Sequence, residues 1–220
     1  RPAFGGGARM TPLHITHWQV QGDLDAPQRS SADVTAPLTG GGALQVSFLT
    51  ETLARITLVP PDGFKEPHTW SICPERGQDV PWTGRPRASL SGFERPPITQ
   101  SQDDNGHTVL STQRLSVTLS GGAHTVTQLH WCDPASGQTF MLDRPTSAYL
   151  QERRTGLVRH CVVRDPQEHF FGLGDKTGPL NLHGRRLRCL GQDALGYDPK
   201  NGDPLYKHWP FVMSRTVDGL

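Results

Sequence analysis

The run Phe170-Phe-Gly-Leu-Gly-Asp-Lys-Thr-Gly178 places closely spaced glycines next to charged side chains, and Arg185-Arg186 follow it. Two further runs come next: Asp193-Ala-Leu-Gly-Tyr-Asp198 and Asp203-Pro-Leu-Tyr-Lys-His-Trp-Pro-Phe211. Glycine tolerates backbone angles that other residues avoid, and a loop that also carries charge is commonly built to contact another molecule. These features predict that residues 170–211 form a functional loop region.

The glycines of this region do not match a phosphate-binding loop. The run from Gly172 to Gly178 has one residue too many for the dinucleotide pattern. Lys176 and Thr177 follow Asp175, where a nucleotide P-loop requires glycine, and the Asp175 carboxylate would repel a phosphate. The sequence therefore argues against nucleotide binding.

Composition excludes two further classes of partner. The 220 residues include 22 Lys and Arg and 21 Asp and Glu, which gives a net charge of +1. Because no long basic run occurs, nucleic acid is not expected as a partner. No run approaches the ~20 apolar residues of a membrane span, so no membrane association is expected.

Cysteines and histidines give no sign of a metal site. Cys73, Cys132, Cys161 and Cys189 are scattered without a Cys-x-x-Cys pair, and the ten histidines are scattered as well. We therefore expect no metal and no cofactor. Two disulfides are formally possible in three pairings, but the first residues lack the apolar core of a signal peptide. This favours free thiols and a cytoplasmic location.

Alternation of apolar and polar residues predicts the fold class. Leu44, Val46 and Phe48 fall on one face of a short run, and similar runs recur between turn residues, with a hairpin signal at Gly121-Gly122. The predicted strands are residues 13–20, 44–49, 54–59, 108–111, 115–119, 125–131, 140–142, 148–150, 157–163 and 209–213. Since no helical period is present, we predict an all-β protein, an antiparallel β-sandwich.

Residues 1–11 are expected to be a flexible lead, and residues 12–220 are expected to form a single domain. Within that domain two long segments are predicted as loops. Residues 22–42 are polar and rich in glycine, which predicts a long loop, and residues 62–97 are loop-rich because of their prolines. Trp70 and Trp82 in this second loop are interpreted as core or loop-anchoring residues in preference to platforms for sugar rings.

The motifs of residues 170–211, in their order, resemble the N-terminal domain of the α-glucosidases of glycoside hydrolase family 31. The likeness rests on the Gly172–Gly178 run, Arg185-Arg186, Asp193 with Tyr197-Asp198, and the run from Asp203 to Phe211, and it is strongest over residues 148–211. In that family the domain is a β-sandwich resembling galactose mutarotase. It precedes a catalytic (β/α)8 barrel, which the present chain is too short to contain.

The resemblance implies one substrate-binding residue. An aspartate at the place of Asp193 sits, in that family, on a sandwich loop that reaches over the barrel and binds sugar hydroxyls. A carboxylate suits this role because it accepts strong hydrogen bonds from neighbouring hydroxyls. The alternative is that Asp193 is a solvated loop residue. Lys176, Thr177, Arg185 and Arg186 are interpreted as structural.

No catalytic residue is assigned in this chain. Retaining hydrolysis needs two carboxyl groups that flank the glycosidic bond, and the Trp-x-Asp-Met-Asn-Glu type of motif that supplies the family's nucleophile is missing. Asp175, Asp193, Asp198 and Asp203 cannot be paired across a sugar from sequence. We therefore expect the chain to be inactive by itself and to need the barrel of the same polypeptide as its partner.

The expected function is that of an accessory domain in an enzyme that cleaves terminal α-linked glucose from oligosaccharides. A second hypothesis is an independent carbohydrate-binding module, with Trp70, Trp82 and Trp209 as the binding platform. A third is a sandwich that supports the barrel without touching the substrate. Whether the substrate is a glucoside or a xyloside is left open.

Overall fold

The computed structural model describes residues 10–21, 33–74, 78–152 and 154–216. It contains the strands β1 (Met10–Pro12), β2 (Gln19–Gln21), β3 (Asp33–Pro37), β4 (Ala43–Thr50), β5 (Leu53–Val59), β6 (His68–Thr69), β7 (Arg85–Pro86), β8 (Thr99–Gln102), β9 (Thr108–Ser111), β10 (Ser116–Gly122), β11 (Thr125–Cys132), β12 (Thr139–Leu142), β13 (Tyr149–Glu152), β14 (Val158–His160), β15 (His169–Gly172) and β16 (Val212–Arg215). All strand pairs are antiparallel, and no helix occurs in the described ranges. The predicted all-β class is confirmed. The chain divides into two compact units, residues 1–163 and residues 164–220.

Unit 1 contains a four-stranded sheet in the order β2-β3-β4-β5. Strand β4 pairs with β3 on one side and with β5 on the other. The predicted alternation in β4 is confirmed, since Leu44, Val46 and Phe48 are all buried. Their side chains point to one face because successive residues of a strand alternate between faces.

A second sheet of unit 1 has five strands in the order β12-β11-β10-β9-β8. The predicted hairpin is confirmed: β10 and β11 pair antiparallel around Gly121 and Gly122. Val117 and Leu119 of β10 lie opposite Trp131 and Leu129 of β11, and all four side chains are buried.

The buried faces of these two sheets form one hydrophobic core. It combines residues of β3 and β4 with residues of β9, β10 and β11, and the rings of Phe48 and Trp131 meet at a centroid distance of 6.3 Å. Two sheets packed face to face over a shared core are a β-sandwich, as predicted. Smaller sheets of the orders β1-β13-β14 and β6-β7 complete unit 1.

The prediction of a long loop at residues 22–42 is wrong at residues 33–37, and residues 22–32 of that loop lie outside the described residues. Residues 33–37 form β3, in which Val34 and Ala36 are fully buried. The strand has only these two inward apolar positions, between Asp33 and Pro37. A pattern this short falls below what periodicity can detect.

The predicted first strand at residues 13–20 is divided in the structure. Met10–Pro12 forms β1, Ile15 makes an isolated bridge to Leu38, and Gln19–Gln21 forms β2. Strand β1 includes the last two residues of the predicted lead, and residues 1–9 of that lead lie outside the described residues.

The proline-rich loop holds Trp70 and Trp82 at its surface. Trp70 Nε1 donates a hydrogen bond to the carbonyl oxygen of Trp82 at 3.0 Å, so Trp70 does anchor the loop. The indole of Trp82 is 94% exposed, and its interpretation as a core or anchoring residue is wrong.

Unit 2 is built around one strand pair. Strands β15 and β16 pair from His169 opposite Arg215 to Gly172 opposite Val212. The final strand thus begins three residues later than the predicted start at residue 209. Between the two strands the chain is irregular and is held by backbone hydrogen bonds, such as the one from the Asp175 amide to the carbonyl oxygen of Lys207 at 3.0 Å.

Candidate functional site

The predicted loop region is anchored by a buried ion pair. Lys176 Nζ lies 3.1 Å from Asp203 Oδ1, and the same nitrogen donates to the carbonyl oxygen of Arg188. The other carboxylate oxygen of Asp203 accepts the amide N–H of Arg188 at 2.7 Å. Three sequence-distant segments are therefore tied together at Asp203.

Two glycines let the ends of the loop region approach each other. The φ angles of Gly172 and Gly174 are +111° and +78°, and those of most L-residues are negative. A Cβ at Gly172 would lie 2.5 Å from the carbonyl oxygen of Phe211, and one at Gly174 would lie 2.7 Å from the Trp209 ring. Gly172 and Gly174 thus serve close packing of the chain against residues 207–211.

Thr177 and Arg185 are structural, as interpreted from sequence. Thr177 is buried and donates from Oγ1 to the carbonyl oxygen of Gly202 at 2.6 Å. Arg185 donates from its guanidinium to the carbonyl oxygen of Thr177. Arg186 is exposed, and no hydrogen bond joins it to another described residue.

Asp193 lies on an exposed loop just before the turn at Leu195 and Gly196. The chain is fixed shortly before it, because Gln192 donates its amide N–H to the carbonyl oxygen of Leu205 at 3.1 Å. Asp193 makes no hydrogen bond or ion pair with any residue that the structure describes. The backbone is thus fixed at the preceding residue, and the Asp193 side chain is exposed to solvent.

Two other aspartates of the region, Asp198 and Asp203, are occupied by local contacts. Asp203 forms the buried ion pair, and Asp198 accepts hydrogen bonds from the Lys200 amide at 2.8 Å and from the Asn201 side chain at 2.9 Å. These hydrogen bonds hold the pKa of Asp198 below its ordinary value. Asp175 and Asp193 have no side-chain hydrogen bond or ion pair among the described residues, and of these two Asp193 is exposed while Asp175 is half-buried.

Unit 2 also exposes many large apolar side chains. They are Leu180, Leu190, Leu195, Tyr197, Tyr206, Trp209, Phe211, Val212 and Met213. Such a concentration within 57 residues is unusual for a surface that faces water only, and it is typical of a surface that another domain covers.

Two absences apply to the described part of the chain. There, no three His, Cys, Asp or Glu side chains come together in a group that could hold a metal ion. No helix in the same ranges is long and apolar enough to cross a membrane. No disulfide joins any of Cys73, Cys132, Cys161 and Cys189, all of which lie in the described ranges.

Comparison of the chain with protein families gives one match over most of its length. The model of the glycosyl hydrolase 31 N-terminal galactose mutarotase-like domain matches residues 43–219. No curated protein matches the chain in sequence.

Two solved structures of one enzyme support the same fold. A dextranase of glycoside hydrolase family 31 from Flavobacterium johnsoniae, complexed with glucose, aligns over 92% of this chain with a TM-score of 0.64 and 20% identity. A mutant of that enzyme complexed with isomaltotriose gives the same coverage and TM-score at 21% identity. A protein from Listeria monocytogenes, in complex with glucose, magnesium and calcium, aligns over 83% of this chain and 15% of its own length, with a TM-score of 0.49 and 15% identity. The chain spans about a fifth (21%) of the dextranase.

Proposed function

The chain belongs to the glycosyl hydrolase 31 N-terminal galactose mutarotase-like domain family, and we propose that it is the accessory domain of a retaining glycoside hydrolase. The proposed enzyme removes terminal α-linked glucose from oligosaccharides. Glucose as the sugar is supported by the dextranase structures, which hold glucose and isomaltotriose.

The proposed partner is a catalytic (β/α)8 barrel of the same polypeptide. The chain spans only 21% of the dextranase, and the rest of that enzyme is long enough to contain such a barrel. The apolar side chains exposed on unit 2, such as Trp209 and Phe211, supply area to bury against it. Burial of apolar surface stabilises by about 25 cal/mol per Å², so a large contact would hold the domains together.

The proposed role of the domain in substrate binding rests on Asp193. The observation that carries it is an exposed carboxylate with no protein partner among the described residues, on a loop whose backbone is fixed by Gln192 and Arg188. A pre-positioned carboxylate can accept hydrogen bonds from two sugar hydroxyls without a cost for ordering the loop. The two catalytic carboxyl groups would come from the barrel, and the chain by itself would be inactive.

The test is Asp193→Ala in the full-length enzyme, with kcat and KM measured on maltose and isomaltose. Loss of hydrogen bonds to a charged group should lower kcat/KM by about 10- to 100-fold. Asp104→Ala changes an exposed aspartate in the β8–β9 turn of unit 1 and is the matched control. Unchanged kcat and KM in Asp193→Ala would rule out the role in substrate binding.

An independent carbohydrate-binding module is the second candidate. It is favoured by the exposure of three tryptophans, 64% for Trp70, 94% for Trp82 and 56% for Trp209, because exposed aromatic faces stack on sugar rings. This function requires the 220-residue chain to bind glucose, maltose or longer α-glucans at sub-millimolar concentration with a change in tryptophan fluorescence. The accessory-domain proposal predicts no sub-millimolar binding by this chain and no change in its tryptophan fluorescence.

A further inference from the structure

Unit 2 contains an open cavity of about 550 Å³ that is separate in sequence from the Asp193 loop. Its lining residues are Pro166, Gln167, Glu168, His169, Asn181 and His183. The two histidines come from different segments, His169 from strand β15 and His183 from the irregular chain after it. Asn181 lies between them in sequence and contacts the His169 ring, whereas the His183 ring contacts the carbonyl oxygen of Glu168.

The orientation of the Asn181 amide follows from its backbone partners. Asn181 Oδ1 accepts the N–H of Phe170 at 3.0 Å and the N–H of His183 at 3.1 Å. The amide NH2 group therefore points the other way and donates to Nδ1 of His169 at 2.7 Å. Because Nδ1 accepts this bond, the proton of the neutral His169 ring is on Nε2, which is a donor.

His183 has the opposite tautomer. Its Nδ1 lies 2.6 Å from the carbonyl oxygen of Glu168, and a carbonyl can only accept. Nδ1 of His183 therefore carries the proton, and Nε2 carries a lone pair. The ring of Phe170 lies beside the imidazole, with its centroid 6.2 Å from that of His183.

The result is a donor at Nε2 of His169 and an acceptor at Nε2 of His183, two residues that line the same cavity. Neither Nε2 atom has a hydrogen-bond partner among the described residues. A hydroxyl group both donates and accepts, so a ligand with several hydroxyls satisfies both imidazoles without a change of charge. We propose that this cavity binds a glucose unit, with His169 Nε2–H donating to one hydroxyl oxygen and His183 Nε2 accepting from a hydroxyl. The choice of glucose rests on the proposed function.

A divalent metal ion is the competing ligand for two histidines. Metal binding needs a lone pair on each imidazole nitrogen, and the Asn181 contact puts a proton on Nε2 of His169. Within the described ranges no third His, Cys, Asp or Glu joins the pair in a metal-binding group. The geometry favours the sugar over the metal.

The test uses nuclear magnetic resonance of the two imidazoles in the 220-residue chain. Nitrogen-15 shifts assign each tautomer, and the chain is then titrated with isomaltotriose at millimolar concentrations and, separately, with ZnCl2. The proposal requires a proton on Nε2 of His169 and on Nδ1 of His183, and it requires both rings to respond to the sugar. His169→Phe and His183→Phe should each weaken sugar binding about 10-fold, and thermal melting checks that both variants fold.

Two control variants show whether sugar binding depends on His169 and His183 specifically. His124→Gln removes an exposed histidine of unit 1 and should leave sugar binding unchanged. Asp193→Ala in the same chain should also leave it unchanged, so the failure of the Asp193 role in the enzyme and the failure of this site are distinguishable. The proposal is overturned by the opposite tautomer at either histidine, by zinc binding at the pair, or by a lack of response to the sugar.

Discussion

Lys176 Nζ and Asp203 Oδ1 lie 3.1 Å apart, although 27 residues separate them in sequence, and their side chains are only 4% and 10% exposed. Both oxygens of the carboxylate are used, since Oδ2 accepts the Arg188 amide. An ion pair this deeply buried contributes mainly when both partners are present, because either charge left by itself is costly to bury. The pair therefore holds together Arg188 and Asp203, which flank the Asp193 loop in sequence.

Asp203→Asn should destabilise unit 2. The substitution leaves the Lys176 ammonium buried without a counter-charge, and breaking a buried pair in this way costs about 3–5 kcal/mol. Hydrogen exchange of the unit 2 amides, the Arg188 amide in particular, measures the loss locally. Faster exchange is expected for residues 170–211.

The control for this prediction is the double variant Lys176→Met with Asp203→Leu. It removes both charges at once, so it should be less destabilising than Asp203→Asn. If Asp203→Asn exchanged as slowly as the wild type, the anchoring role of the pair would be wrong.

Gly174→Ala should destabilise the chain more than Gly184→Ala. Both glycines have positive φ angles, +78° and +74°, so both substitutions carry a backbone cost of about 1–2 kcal/mol. A Cβ at Gly174 would meet the Trp209 ring at 2.7 Å, and nothing lies within 4 Å of one at Gly184. The difference in unfolding free energy between the two variants isolates the steric contact.

The fluorescence of Trp209 gives a second readout of this contact. Its emission should change in Gly174→Ala, because the ring must move to accommodate the methyl group, and it should not change in Gly184→Ala. Equal unfolding free energies and equal spectra would show that residues 172–174 do not pack against residues 207–211 in solution.

Tyr149 should make the protein sensitive to alkaline pH. Burial raises the pKa of its hydroxyl above the ordinary value of about 10, and the neighbouring Asp143 carboxylate raises it further. Below about pH 10 the folded and unfolded states hold the same proton, and the full stability is present. Above that pH the unfolded state ionises first, so the unfolding free energy falls by up to about 1.4 kcal/mol per pH unit.

Urea unfolding between pH 8 and 11 measures this slope, and Tyr149→Phe should make it shallower. Tyr197→Phe, at an exposed position, is the matched control for the loss of a phenol group. An unchanged slope in Tyr149→Phe would contradict the buried position of the hydroxyl.

Trp131→Ala and Trp82→Ala should differ widely in stability. Trp131 is 3% exposed and packs in the core of the sandwich, so its truncation should cost about 3–5 kcal/mol. Trp82 is 94% exposed, and its loss should change the unfolding free energy by less than about 0.5 kcal/mol. Chemical denaturation of the two variants measures both values, and a costly Trp82→Ala would show that its indole is covered in solution.

The sequence predicted the sandwich because its main strands bury one face and expose the other. Leu44, Val46 and Phe48 in β4 are an example. The glycines at 121 and 122 indicated the hairpin that β10 and β11 form. Strand β3 was missed because it has two inward apolar residues, and its place in the sheet comes from pairing with β4. The exposure of Trp82 was also missed, since an indole is equally compatible with a core and with a surface.

Motif order in residues 170–211 was sufficient to predict the family and to select Asp193 as the substrate contact, which stays a prediction. Local residue types and spacings thus determined the fold class, the hairpin and the loop region. Tertiary structure decided which charges pair, and it decided which hydrogen-bond partners His169 and His183 have, because each depends on contacts between residues far apart in the chain. Alternation records only whether a side chain faces the core, and it carries no information about the partner that a polar group meets there.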